Sequence, residues 1–234
     1  MFPEAERLLK RALAIVERDT IYERQFAAVC NNLGGLYAET GKLDLAESYL
    51  TKAIKAREHT GGDMLEYTKS LINLGDLYRR EQRFAEAEEL LRKAFRLRDE
   101  SPGVSTEALV VALAHFGGLF FVEGKYQQAE PYWRRALDLT DRRPTSRNLQ
   151  IALAQSLNNL GALYRRMGKL DEAEPLLKRA YELWPQLGLE ESDSMMRTCG
   201  HYSALLNELG RTNEAKTIAA QGETIRLRLS SPKE

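Results

Sequence analysis

Five side chains able both to donate and to accept hydrogen bonds stand at one recurring position of this chain: Asn32, Asn73, His115, Asn159 and His201. Amide and imidazole groups in a row can hold a peptide backbone, or they can tie neighbouring helices to one another. Asn is a mediocre helix former, so its return within apolar surroundings needs one of those reasons. A little further along the same segments stand Arg79-Arg80 and Arg165-Arg166, with Phe121-Val122 at the equivalent place between them and Asp76 just before the first pair. The planar fork of arginine suits carboxylates, so two basic pairs flanking an apolar patch would favour an acidic segment with an apolar anchor. The same arginines could instead offset the negative end of a helix in water. Phe120-Phe121-Val122 cannot all enter one core from a helix, so one large apolar group there must be exposed or covered by a partner.

Catalytic chemistry has no comparable signal. No phosphate-binding glycine loop, nucleophile elbow or zinc-protease signature occurs in the sequence. No His or Cys lies one helical turn from His59, His115 or His201, so no metal site is expected. Cys30 and Cys199 are far apart and read as reduced thiols in helix cores. No cofactor is implied, and the chain is not expected to be an enzyme.

Composition excludes further classes. Lys plus Arg and Asp plus Glu both number 34, giving zero net charge, whereas a dedicated nucleic-acid binder carries a basic excess. No apolar run reaches the ~20 residues that span a membrane. The start, Met1-Phe2-Pro3-Glu4-Ala5-Glu6, is charged at once and does not read as a secretory signal. A cytoplasmic protein without nucleic-acid or membrane partners is the expectation.

The elements that position the polar row are repeats. Asn31-Asn32-Leu33-Gly34-Gly35-Leu36-Tyr37 returns as Ile72-Asn73-Leu74-Gly75-Asp76-Leu77-Tyr78, as Ala114-His115-Phe116-Gly117-Gly118-Leu119-Phe120 and as Asn158-Asn159-Leu160-Gly161-Ala162-Leu163-Tyr164. A worn copy is Gly200-His201-Tyr202-Ser203-Ala204-Leu205-Leu206. From Gly34 through Gly75, Gly117 and Gly161 to Ser203 the spacings are 41, 42, 44 and 42. Each copy continues into a second alanine-marked segment: Ala46 and Ala53, Ala87 and Ala94, Ala129 and Ala136, Ala173 and Ala180, then Ala215 and Gly222. Phe2, Ala5 and Ala12 fit the second half of an earlier copy.

Cys30, Leu33, Gly34 and Tyr37 share one helical face. A glycine there lets a partner helix approach, and alanines seven apart give that partner a narrow seam. Glycine inside a helix costs about 0.5–1 kcal/mol relative to alanine, so its recurrence signals a packing demand. Gly41, Gly124, Gly168 and Gly210 fall where each first helix should end. Loops are expected over His59–Asp63, Asp99–Ser105 and Asp141–Ser146. Trp133 and Trp184 read as core fillers.

The pattern resembles the tetratricopeptide repeat, in the 42-residue variety of kinesin light chain and its bacterial relatives. Leu157 to Tyr164 with Gly168-Lys169-Leu170-Asp171-Glu172-Ala173-Glu174-Pro175 matches that variety most closely. The resemblance covers essentially the whole chain. It implies an all-α, right-handed superhelical solenoid of antiparallel hairpins with about eleven helices, residues 1–234 forming one solenoid. Residues 1–19 would be an orphan second helix, and 22–59, 64–99, 105–140, 147–185 and 190–228 the hairpins. The last hairpin is polar on its final helix (Lys216, Thr217, Gln221) and reads as a cap.

The orphan helix carries Leu8, Leu9, Leu13, Ile15 and Val16 without a partner. It implies either a cut from a longer protein or self-association through that face. In this family the first helices line a concave groove that suits a peptide. The polar row then resembles an asparagine ladder, with Asp76, Arg79, Arg80, Phe121, Arg165 and Arg166 on the same wall. The function implied is a non-catalytic peptide-binding scaffold. The alternatives are a regulatory or sensor module of a larger signalling or protease-associated protein, and a self-assembling scaffold.

Overall fold

The computed structural model describes residues 2–17, 20–60, 63–100, 105–142 and 144–230. Among these the regular elements are eleven α-helices and one 3-10 turn, Thr20–Tyr22, with no strand. The helices are α1 (Phe2–Val16), α2 (Glu23–Glu39), α3 (Leu43–Thr60), α4 (Met64–Arg80), α5 (Phe84–Asp99) and α6 (Thr106–Val122). They continue with α7 (Tyr126–Asp141), α8 (Arg147–Arg166), α9 (Leu170–Gln186), α10 (Asp193–Glu208) and α11 (Thr212–Ser230). The chain is all-α and its consecutive helices pack in pairs, as the repeat requires. Residues 61–62, 101–104 and 143 of the expected loops lie outside those described. His59 and Thr60 extend α3 instead of opening a loop. No described helix is long and apolar enough to cross a membrane.

Two compact units divide the chain, residues 1–119 and 120–234. In the first, α1 packs on α2, α2 on α3, α3 on α4 and α4 on α5. α6 joins them through Phe116, whose ring stacks on that of Phe95 at 6.1 Å. In the second, α7 packs on α8, α8 on α9, α9 on α10 and α10 on α11. Its core groups Ala154, Trp184, Met195, Cys199 and Ile225, and the Trp184 Nε1–H donates to Thr198 Oγ1 at 2.9 Å.

The glycine and alanine seams explain the hairpins. A Cβ added to Gly34 would lie 2.5 Å from Leu50 Cγ, to Gly75 2.9 Å from Leu91 Cγ, and to Gly161 2.6 Å from Leu177 Cγ. These are closer than van der Waals contact, so only glycine admits the leucine of the facing helix. Ala46, Ala53, Ala87, Ala94, Ala129, Ala136, Ala173 and Ala180 all have no exposed surface, so both turns of each seam are closed.

Chain reversals are set by the left-handed backbone. Gly41, Gly124, Gly168 and Gly210 have φ of 74°, 75°, 74° and 77°. The second copy puts Gln82 there, at φ 61°, a conformation that costs an L side chain about 1–2 kcal/mol. The nearby Arg83 N–H still reaches the Tyr78 carbonyl at 2.9 Å, as Lys42 reaches Tyr37. The turn therefore keeps its hydrogen bonding without its glycine.

Successive hairpins are joined by a contact that spacing does not announce. Tyr37 Oη donates to Glu6 at 3.1 Å, Tyr78 Oη to Glu47 at 2.6 Å and Tyr164 Oη to Glu130 at 3.1 Å. Each tyrosine belongs to a first helix and each glutamate to the preceding second helix. A cation from the following turn completes the group: Lys42 on Glu6, Arg83 on Glu47 and Lys169 on Glu130. These tyrosines therefore act as polar staples between hairpins.

Candidate functional site

Asp63, Ser146 and Ser192 accept hydrogen bonds from backbone N–H groups of the first turns of α4, α8 and α10, fixing where those first helices begin. The apolar face of each then enters the core, and the polar row is carried to its flank.

In the first unit this flank forms a cleft. It has a volume of about 460 Å³, with Asn32, Asn73, Asp76 and Arg80 from the expected set and Asn31, Gly35 and Glu39 beside them. Leu9, Leu36 and Leu50 give it an apolar floor. Asn73 Nδ2 donates to Asn31 Oδ1 at 3.0 Å, and Ser70 Oγ donates to the same oxygen at 3.1 Å. One end of the Asn73 amide is thus spent on tying α4 to α2. The tie runs to Asn31, one residue before the row, while Asn32 is exposed to solvent.

Asp76 sits between two cationic or polar neighbours. Arg79 Nε donates to its Oδ1 at 3.0 Å, and His115 Nδ1 is 3.2 Å from the same oxygen. Burial pushes the Asp76 carboxyl up, but the His115 and Arg79 contacts outweigh it and hold the group below the usual carboxylate range. His115 is therefore linked to α4 through a carboxylate, where Asn73 is linked to α2 through an amide.

In the second unit the tie recurs. His201 Nδ1 lies 3.1 Å from Asn158 Oδ1, the counterpart of Asn73 on Asn31. Asn158 Nδ2 donates to Asn159 Oδ1 at 3.4 Å. Arg165 Nη1 donates to Glu208 at 2.6 Å, and Arg166 is exposed. Phe121 packs against Tyr126 and Trp133 with centroids 5.5 and 5.3 Å away. The exposed apolar residue of Phe120-Phe121-Val122 is Val122, at 50 %. Asn32, Asn73, Asp76 and Arg80 thus meet in one cleft, with Arg79 and His115 joined to it through Asp76. The row's role as an inter-helix tie, visible at Asn73 and His201, depended on Asn31 and Asn158, which the pattern alone did not single out.

Burial pushes the His201 imidazole down to about 4, helped by Arg165, Arg197 and Arg166. A folded-state value below the unfolded ~6.5 means that the unfolded chain binds the proton more readily. Stability from this group is present above pH ~6.5 and is lost as pH falls towards ~4. After allowance for partial exposure the loss should be about 1–2 kcal/mol. Urea titrations from pH 4 to 7 should show a steeper decline for the wild type than for His201→Asn. Parallel declines would remove His201 as the cause.

The two thiols offer no chemistry here. Cys30 and Cys199 are buried, and burial pushes both up to about 11, which keeps them protonated and poorly nucleophilic at neutral pH.

A tetratricopeptide repeat family model matches residues 25–100 and 150–228, more than half of the chain. This chain belongs to the tetratricopeptide repeat family. No curated protein matches it. Among solved structures, this tetratricopeptide repeat chain is similar to BtubC (BKLC) from P. vanneervenii. The TM-score is 0.78 and the identity 21 %, over 100 % of this chain and 94 % of that one. A putative kinesin light chain with nearly identical TPR-like repeats from Podosopora anserina matches at a TM-score of 0.64 and 16 % identity, over 87 % of this chain and 96 % of the other. The Rap conjugation gene regulator of plasmid pLS20, in complex with the Phr* peptide, matches at 0.71 and 18 % identity, over 91 % of this chain and 56 % of its own length. At these identities the likeness is one of fold.

Proposed function

We propose that this chain is a non-catalytic interaction module that holds an extended segment of a partner protein against the polar flank of its first helices. The cleft of about 460 Å³ carrying Asn32, Asn73, Asp76 and Arg80 over a leucine floor is the observation that carries this reading. The exposed Asn32 amide and the carbonyl end of the half-buried Asn73 amide suit a peptide backbone, and the floor suits one apolar side chain. The peptide-bound pLS20 regulator is a fold neighbour in which a peptide is held.

The partner segment is acidic or mixed. Within each basic pair one arginine is already engaged, Arg79 by Asp76 and Arg165 by Glu208, while Arg80 and Arg166 are exposed. At the cleft of the first unit the acidic preference therefore comes from Arg80, and the second unit offers Arg166 on its own flank. A second reading, a regulatory module within a longer protein, draws on the pLS20 regulator, of which the matched region is little more than half.

A degenerate acidic peptide library titrated against the wild type and Asn73→Ala/Asn159→Ala tests both. We expect a ligand whose affinity falls about tenfold in the double variant, which is the loss of about one good hydrogen-bonding contact. Its melting temperature should change by only a few degrees. A large loss of stability with no detectable ligand would make the asparagines ties alone, and would favour the regulatory reading.

A further inference from the structure

The fifth hairpin lacks a pair of rings that the first and third contain. Tyr37 stacks on Tyr49 with centroids 5.6 Å apart, and Phe120 stacks on Tyr132 at 5.8 Å. The corresponding residues of the last hairpin are Leu206 and Ile218. Between α9, α10 and α11, a cavity of about 260 Å³ opens beside them, lined also by Tyr181, Tyr202, Lys178 and Glu214. All of it lies within the second unit.

The polar half of a tyrosine site is present as well. Three earlier hairpins bring a tyrosine hydroxyl to a glutamate of the preceding second helix, with a cation from the following turn on the same carboxylate. At this place the glutamate is Glu174, and Arg211 from the following turn donates to it. Arg211 is itself braced by Glu214, at 2.6 Å. By repeat position Glu174 and Arg211 supply the carboxylate and cation, the cavity's lining reaches Lys178, one helical turn beyond Glu174 on α9, and Leu206 stands where the earlier tyrosines carry a ring and hydroxyl.

We infer that this cavity is a docking site for a tyrosine side chain of a partner protein, its ring against Leu206 and Ile218 and its hydroxyl directed past Lys178 towards Glu174, as the earlier tyrosines are towards their glutamates. The size fits one anchor residue. The cavity is below the ~300–1,000 Å³ of pockets for whole drug-sized ligands, yet several times the ~30 Å³ share of a water molecule. Tyr181 and Tyr202, whose rings lie 5.7 Å apart at 50°, add an aromatic wall against which a further ring packs edge to face. The rim carries Glu182 and Glu214 against Lys178, so the added charge of a phosphotyrosine is repelled and the unmodified residue is selected.

The site is separate from the polar row. On α10, His201 turns to Asn158 of α8, whereas Tyr202 and Leu206 meet α9 and α11. The inference stands whether or not the row binds peptide.

The test is a side-chain NMR titration with N-acetyl-tyrosinamide and its phenylalanine, alanine and phosphotyrosine counterparts. The tyrosine compound should shift the methyl signals of Leu206 and Ile218 and bind about tenfold more tightly than the alanine compound, a difference of about one well-packed anchor. The phenylalanine and phosphotyrosine compounds should bind more weakly than tyrosine. Leu206→Tyr gives the hairpin its own ring, so it should raise the melting temperature and weaken binding about tenfold. Ile218→Tyr should block the site in the same way and serves if Leu206→Tyr does not fold. Glu174→Gln should narrow the preference for tyrosine over phenylalanine. Equal affinity for the tyrosine and alanine compounds, or undiminished binding after the cavity is filled, would overturn the assignment.

Discussion

Gly34→Ala is expected to destabilise the first unit by about 1–3 kcal/mol in urea unfolding, although alanine is the better helix former. The added methyl would meet Leu50 Cγ at 2.5 Å, Leu50 Cδ2 at 2.8 Å and the Ala46 carbonyl oxygen at 3.2 Å. Leu50 Cγ is not the free end of a flexible chain, and Leu50 has no exposed surface into which it could turn. Helix propensity returns about 0.5–1 kcal/mol, which is smaller than the overpacking term. The sign is therefore decided by the facing helix.

The partner variant makes the argument sharper. Leu50→Ala alone should cost about 2–5 kcal/mol, because it leaves a void at a closed seam. In Gly34→Ala/Leu50→Ala the new methyl occupies part of that void. The pair should then be less damaging than the sum of the single changes by about 1 kcal/mol or more, since touching residues do not behave additively. The chain already contains such an exchange: in the last hairpin Ser203 replaces the glycine and Ala219 stands where Leu50 stands in the first. Strict additivity in the double-mutant cycle would refute direct interlocking of the two positions.

Arg98→Ala should destabilise the same unit by about 3–5 kcal/mol. Arg98 is 3 % exposed at the end of α5. Its Nε–H donates to Thr68 Oγ1 at 2.6 Å, its Nη2 reaches the Leu65 carbonyl at 3.5 Å, and its Nη1 donates to the Ala108 carbonyl. One side chain thereby joins α4, α5 and α6. Truncation leaves a cavity and two carbonyls stripped of a buried donor, and each such group costs about 1–3 kcal/mol. Arg98→Met fills the volume without the hydrogen bonds and should lose less than Arg98→Ala. The exposed neighbour Arg96→Ala should change stability by no more than about 0.5 kcal/mol. If Arg98→Ala and Arg96→Ala unfold at the same urea concentration, the buried guanidinium does not hold these helices together.

Burial also explains why the charge on Arg98 is less favoured than on a surface arginine. Burial depresses its pKa, with Glu66 acting in the opposite direction. The same position one hairpin earlier is Arg57, also buried, with Glu66 at 3.5 Å. In the second unit it becomes Thr140 and Trp184, each buried and each with a hydrogen bond of its own. Three residue types solve one problem at this position across four hairpins, so no motif could mark it.

The sequence by itself determined the repeat, its helix pairs and its turns. Glycine at the seam and glycine in the turn are required by local sterics, a missing Cβ in one case and a positive φ in the other. Such demands leave a trace in residue identity at fixed spacing, which is why Gly34, Gly75, Gly161, Gly41 and Gly168 could be placed before any coordinates. The family followed from the same trace. What only the tertiary structure decided were the pairings across hairpins: Asn73 with Asn31, His201 with Asn158, Tyr78 with Glu47, Arg98 with Thr68, and Arg79 and His115 with Asp76. Each joins residues from separate helices whose relative rotation and offset depend on the packed side chains between them. A polar side chain can face solvent, a ligand or a neighbouring helix from the same sequence position, and the choice is made by what the adjacent helix presents at hydrogen-bonding distance.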